Sequence, residues 1–61
     1  MSMWKKTSDI LPPVGVVVMT KIDDDRGVRN VQPLRRHGRM WLYPYGTMYV
    51  YYTPTHWRYN W

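Results

Sequence analysis

Met40-Trp41-Leu42-Tyr43-Pro44-Tyr45-Gly46-Thr47-Met48-Tyr49-Val50-Tyr51-Tyr52-Thr53-Pro54-Thr55-His56-Trp57-Arg58-Tyr59-Asn60-Trp61 governs the reading of the whole chain, because Trp4 is the only aromatic residue outside it. Trp and Tyr are large, stiff side chains that suit the pleated surface of a sheet and carry one polar group that needs a partner or water. The stretch must therefore supply most of the core and most of any adhesive surface. Its punctuation divides it into strands: Arg39-Met40-Trp41-Leu42-Tyr43, a Pro44-Tyr45-Gly46 turn, Thr47-Met48-Tyr49-Val50-Tyr51-Tyr52, a break at Thr53-Pro54, and a short Thr55-His56-Trp57-Arg58-Tyr59. Tyr49 and Tyr51 project from one side of the second of these, and Met48, Val50 and Tyr52 from the other.

Working back toward the N-terminus, Arg35-Arg36-His37-Gly38 reads as a basic hairpin tip closed by glycine. Val28-Arg29-Asn30-Val31-Gln32-Pro33-Leu34 predicts a strand in which Pro33 requires an edge or a bulge. Asp23-Asp24-Asp25-Arg26-Gly27 is a turn, since short acids tolerate turn geometry and Gly27 accepts positive φ. Val16-Val17-Val18-Met19-Thr20-Lys21-Ile22 is rich in β-branched residues, with Val16, Val18, Thr20 and Ile22 on one face and Val17, Met19 and Lys21 on the other. Before it, residues 1–13 form an extended arm held straight by Pro12-Pro13, with Trp4, Ile10 and Leu11 folded onto the core; Ser8 and Asp9 start at most one helical turn. Short glycine-containing turns and no useful helical periodicity predict an all-β fold. The expected architecture is one domain over residues 1–61, a small antiparallel meander of four to five strands forming a curled sheet or an SH3-like barrel. The alternative is a flat sheet whose second face is covered in a homodimer. Trp4, Leu11, Val16, Val18, Trp41, Val50 and Trp57 are the expected core.

Composition narrows the chemistry. A chain of 61 residues buries only about 60% of the surface its unfolded form exposes, and without cysteine it has neither disulfides nor thiolate metal sites to compensate. Aromatic packing or oligomerisation must do so. The longest aliphatic run, Val16-Val17-Val18-Met19, is far short of the roughly 20 residues that span a bilayer, so a cytoplasmic protein with no membrane association is expected. The net charge of +5 is unevenly placed: residues 1–25 hold three lysines against four aspartates, whereas residues 26–61 hold six arginines and no acid. An all-Arg cationic half interleaved with Tyr and Trp suits acidic surfaces, phosphates or stacking.

Several pieces of the chain occur in a recognisable order: Trp4, then Asp9-Ile10-Leu11-Pro12-Pro13-Val14-Gly15-Val16-Val17-Val18, then Gly38-Arg39-Met40-Trp41, then Thr55-His56-Trp57. This order resembles a family of small phage and prophage domains of unknown function, whose pattern is a Trp, Asp-x-Leu-Pro-x-x-Gly-x-x-Val, Gly-x-x-Trp and Thr-His-Trp. Members of that family continue into an apolar Pro-Leu-Pro tail, where Arg58-Tyr59-Asn60-Trp61 stands here. The resemblance implies the origin of a phage accessory product in an infected or lysogenic bacterium. It implies no activity.

Catalytic and metal chemistry find little to work with. His56 and His37 have no zinc-like spacing, so His56 beside Trp57 reads as a structural histidine. Asp23-Asp24-Asp25 lacks the alternation and closing glutamate of a calcium loop. The serines and threonines have no nucleophile setting. Leu11-Pro12-Pro13 falls short of a complete polyproline ligand motif. The His56–Trp61 segment lacks the amphipathic helix of a membrane-surface binder. No catalytic residue, cofactor or metal is expected, and the protein is read as a non-enzymatic binding module. Arg35, Arg36, Arg39 and Arg58 supply charge, with Tyr45, Tyr49, Tyr51 and Trp61 as aromatic anchors, for a host protein bearing an acidic surface. The same residues also fit a single-stranded nucleic acid, with bases on rings and phosphates on guanidinium groups. A purely structural subunit, folded only as an oligomer, is the third reading.

Overall fold

The computed structural model describes residues 3–60. These form one five-stranded antiparallel sheet, with β1 Lys5–Lys6, β2 Val17–Asp24, β3 Gly27–His37, β4 Met40–Leu42 and β5 His56–Tyr59, and no helix. The strand order is β1-β5-β2-β3-β4. The all-β expectation holds: β2, β3 and β4 follow one another as a meander. The chain then crosses back to lay β5 on the other side of β2, and β1 pairs with the outer side of β5. Because β1 and β4 are both edges, the sheet stays open rather than closing into a barrel.

Local chemistry explains the turns. Val16 N–H bonds Pro13 C=O at 3.4 Å, and the turn this closes puts positive φ on Gly15 (83°), where a side chain would be strained. Asp23 and Asp24 extend β2 instead of turning, so the hairpin closes over Asp25 and Arg26 alone, with Asp24 opposite Gly27. The register shifts between Thr20 and Ile22, where β3 carries an extra residue. That bulge contains Asn30 at φ 56°, the one non-glycine residue with positive φ among those described. Pro33 lies on β3 beyond the reach of β4, which pairs only with Arg35, Arg36 and His37, so the edge reading of that proline stands.

One face of the sheet is covered. Val18, Leu34, Trp41, Val50 and Trp57 form the core, with Val16, Tyr52 and Tyr59 packed against it. Thr20, fully buried, donates its hydroxyl to Gln32 C=O at 2.7 Å. The loop 43–55 lies over this face through Val50, Tyr52 and Pro54; Gln32 Nε2 donates to the Tyr52 hydroxyl at 2.6 Å. The arm covers the rest, Trp57 donating its indole N–H to Ile10 C=O at 2.8 Å.

Several expectations need correction, among them Ile10, which is 54% exposed and meets the core only through its carbonyl. Residues 47–52 are not a strand: they contribute a single bridge, Tyr49 opposite Leu42, because this segment has to leave the sheet and cross the core face to reach β5. Leu11 is not core, being 49% exposed; the buried residue of that stretch is Pro12. The arm is not extended throughout, since Lys5–Lys6 is a strand of the sheet and the N–H groups of Asp9 and Ile10 bond back to Lys6 C=O at 3.0 and 3.1 Å. Trp4 is half-buried and lies on the opposite face from the core, as its cation partners show below.

Candidate functional site

In antiparallel pairing, residues opposite one another share a face. The register therefore assigns Val17, Met19 and Lys21 of β2, Arg35 and His37 of β3, Met40 and Leu42 of β4, His56 and Arg58 of β5, and Lys6 of β1 to the face away from the core. The arm and the loop reach this face only at its margins, through Trp4 against Lys21 and Arg58 and through the loop carbonyls of Tyr43 and Gly46 on Arg35, where Leu42 is buried. The face holds most of the sheet's cationic side chains, and its aromatic groups lie at two corners.

The first corner adjoins β4. Arg35, Leu42 and Tyr49 stand in one cross-strand row. Arg35 donates through Nε to Tyr43 C=O at 3.3 Å and through Nη2 to Gly46 C=O at 2.6 Å, tying down the turn that presents Tyr45. Tyr43 N–H to Met48 C=O and Val50 N–H to Trp41 C=O, both 2.9 Å, close the same turn. Tyr45 and Tyr51 are 89% and 97% exposed; the Tyr51 ring meets Tyr49 edge-on, 5.9 Å between centroids at 67°. The expected alternation holds without a strand over 49–52 alone, Val50 and Tyr52 going inward and Tyr49 and Tyr51 outward, while Met48, expected to point inward with Val50 and Tyr52, is 70% exposed.

Arg36, on the core side of β3, reaches Pro12 C=O at 3.2 Å and Gly38 C=O at 3.0 Å, so it fastens the arm to the hairpin. Arg39 is exposed at the tip. Arg58 belongs to a second corner, across β2 from Arg35. Its Cζ lies 5.1 Å from the Trp4 ring centroid, and Lys21 Nζ lies 4.4 Å from the same ring. Of the predicted residues the structure gathers Arg35, Tyr45, Tyr49 and Tyr51 at the β4 corner and separates Arg58; the expected tip Arg35-Arg36-His37-Gly38 instead extends β3 through His37, so Arg36 is paired within the sheet and only Arg39 stands at the Gly38–Arg39 turn. Trp61 lies outside the described residues.

Trp4, Lys6 and Lys21 join Arg58 at this second corner, a grouping the sequence reading missed. Grouping Lys21 with Val17 and Met19 was readable from alternation, but the insertion of β5 between β1 and β2 was not. The Thr55-His56-Trp57 triplet joins the corner to the core. Thr55 Oγ1 accepts Asp23 N–H at 2.8 Å and stands 2.7 Å from His56 Nδ1. The Thr55 hydroxyl also reaches Lys21 C=O at 3.4 Å, so its single proton is shared between that carbonyl and Nδ1 according to the imidazole tautomer. Thr7 adds its hydroxyl to Pro54 C=O at 2.7 Å and its N–H to Thr55 C=O at 3.0 Å. Beside this network a cleft of about 320 Å³ opens between residues 6–8 and 53–56.

Electrostatic pairing is sparse. Lys21 meets Asp23 at 3.3 Å and Arg29 meets Asp24 at 2.8 Å. Arg29 hydrogen bonds, seconded by Arg26 N–H, hold the Asp24 carboxyl below its ordinary value. Among the described residues no three or more His or acidic side chains come together as a metal-binding group, and no helix is long and apolar enough to cross a membrane. Comparison of the chain with protein-family models, curated proteins and solved structures finds no match.

Proposed function

We propose that the chain is a non-enzymatic binding module, a phage or prophage accessory product acting in the bacterial cytoplasm, that engages a host protein with an acidic surface through the β4 corner. The order of motifs from Trp4 to Trp57 supports the origin. One observation carries the binding role: Tyr45 and Tyr51 are almost wholly exposed on a turn that Arg35 and the Leu42–Tyr49 bridge hold in place. Exposed aromatics on a pre-ordered backbone cost little entropy to dock, and Tyr, Met and Arg are the residues enriched at interface centres. Met48, 70% exposed, and Arg39 complete such a surface, with no acid near it in sequence between Arg26 and Asn60.

The test is to capture partners from a bacterial lysate with the wild-type chain and with Tyr51→Ala and Tyr45→Ala, then measure the affinity of the purified partner. A single acidic protein that binds wild type and loses at least tenfold in affinity to either variant is the expected result. A partner bound equally by all three chains removes the loop from the interface.

A further inference from the structure

We infer that the β1–β5–β2 end of the open face is a separate binding site for single-stranded nucleic acid, with Lys6 and Arg58 taking phosphates beside the ion-paired, enclosed Lys21. Cross-strand pairing sets Lys6 opposite His56 and His56 opposite Lys21. The two ammonium groups thus flank one imidazole in a single row, and Arg58, two residues along β5, adds a third cation on the same face. Like charges brought onto one patch of sheet oppose folding, and among the described residues the ion pair formed there is Lys21 with Asp23. The arrangement supplies what a run of phosphates requires and what folding alone does not.

Trp4 organises the row. Its ring lies 4.4 Å from Lys21 Nζ and 5.1 Å from Arg58 Cζ, so both cationic heads are held against the indole instead of sampling solvent. Lys21 is correspondingly enclosed, with a side-chain exposure of 14%. The row then runs off the sheet into the cleft, since Lys6 and His56 line both. At about 320 Å³ that cleft sits at the small end of the roughly 300–1,000 Å³ typical of ligand sites, and its walls include Pro54 and threonine side chains as well as Ser8 and His56. It suits one nucleoside unit beside a phosphate.

Two features favour an unpaired nucleic acid over an acidic protein or a duplex. The exposed tyrosines that anchor a protein, Tyr45 and Tyr51, belong to the β4 corner on the far side of β2 and β3, whereas beside β1 the large exposed side chains are the aliphatic Met3 and Ile10. A base reaches a recess only when it is not already paired and stacked, as in single strands and loops. This site rests on different residues from the Tyr45–Tyr51 surface, so either stands without the other.

The test titrates the full chain with a fluorescein-labelled oligothymidylate, the corresponding duplex, a polyglutamate peptide and inorganic phosphate at several salt concentrations, while recording amide spectra. The single strand binds best, shifting the amides of Lys6, Lys21, His56 and Arg58. Its log affinity falls with log salt at a slope of about −1.4, at roughly 0.7 for each of two phosphates. Lys6→Gln and Arg58→Gln each shallow the slope by about 0.7, whereas Arg39→Gln, with the same change in net charge, leaves it alone. Trp4→Leu weakens binding with the slope unchanged. Lys6 is exposed, so Lys6→Gln remains decisive if Arg58→Gln unfolds. Overturning results are no binding of the oligothymidylate, equal loss in Arg39→Gln, equal affinity for the duplex, or equal affinity for polyglutamate; binding of inorganic phosphate alone reduces the site to an anion trap and overturns it too. Tyr51→Ala leaves this titration unchanged.

Discussion

The indole N–H of Trp57 donates to the backbone carbonyl of Ile10 across 2.8 Å, so the centre of the last strand holds down the start of the chain. Trp57 is only 1% exposed, and its ring meets Tyr59 edge-on at 5.2 Å. Replacing a buried tryptophan with alanine costs about 3–5 kcal/mol, against a total of roughly 3–9 kcal/mol for a domain this size at 0.05–0.15 kcal/mol per residue. Trp57→Ala is therefore expected to be largely unfolded at room temperature, and Trp57→Phe to fold with a lowered urea midpoint. A Trp57→Ala chain with wild-type amide dispersion contradicts this.

Thr55→Val keeps the shape of the side chain and removes its oxygen. Asp23 N–H then loses its acceptor and His56 Nδ1 its neighbour, at a cost of about 1–3 kcal/mol for the stranded amide. Hydrogen exchange at Asp23 should accelerate accordingly, and Thr55→Ser should restore protection. Equal exchange rates in Thr55→Val and wild type rule the hydroxyl out as a structural link.

Asn30 holds φ 56° in the bulge of β3. The left-handed region costs ordinary residues roughly 1–2 kcal/mol and is worse for β-branched ones, so Asn30→Val should lower stability by at least that much while Asn30→Gly is neutral or slightly stabilising. Chemical denaturation of the two variants, compared at equal m-value, decides it. A tolerated valine means the bulge relaxes at no cost.

Asp24 accepts two hydrogen bonds from Arg29, at 2.8 and 3.1 Å, and one from Arg26 N–H at 3.0 Å. All three favour the ionised carboxylate, which lowers its folded value below 3.8. A depressed folded value means the contribution to stability is complete above the unfolded value and is lost as pH falls through the folded one. A carbon-detected pH titration of Asp24 should show a midpoint below 3.8 that moves up in Arg29→Gln. A wild-type midpoint at or above the ordinary value removes the pairing.

Arg35→Lys retains the charge but not the fork that spans the carbonyls of Tyr43 and Gly46. The sheet should survive with less than about 1 kcal/mol lost, as for exposed polar substitutions generally, while amides of residues 45–48 gain fast motion. Relaxation measurements test this directly, and an unchanged turn assigns its order to the Leu42–Tyr49 bridge alone.

Local signals carried much of the architecture. The β-branched run placed β2 within two residues at either end, and proline, glycine and aspartate marked the turns around it. The alternation of residues 49–52 correctly divided Val50 and Tyr52 from Tyr49 and Tyr51 but failed at the exposed Met48, and β propensity overstated the strand, because propensity reflects half-buried packing that here comes from a crossing loop. What was not legible is non-local. Nothing near Lys6, Lys21 or Arg58 in sequence indicates that β5 will lie between the strands bearing the other two, and so the second corner was invisible. The Tyr45–Tyr51 surface was legible because one short segment builds it.

The position of β5 between β1 and β2 also governs when the molecule can exist. The β2, β3 and β4 segments precede His56–Tyr59 in the chain, and until β5 docks, Trp41, Leu34 and Val18 have no Trp57 to close over them. Folding is therefore completed by a long-range pairing, the kind that forms slowly. A stop codon or a cleavage shortly before Thr55 would remove an interior strand, not a tail, and leave β1 with nothing to join.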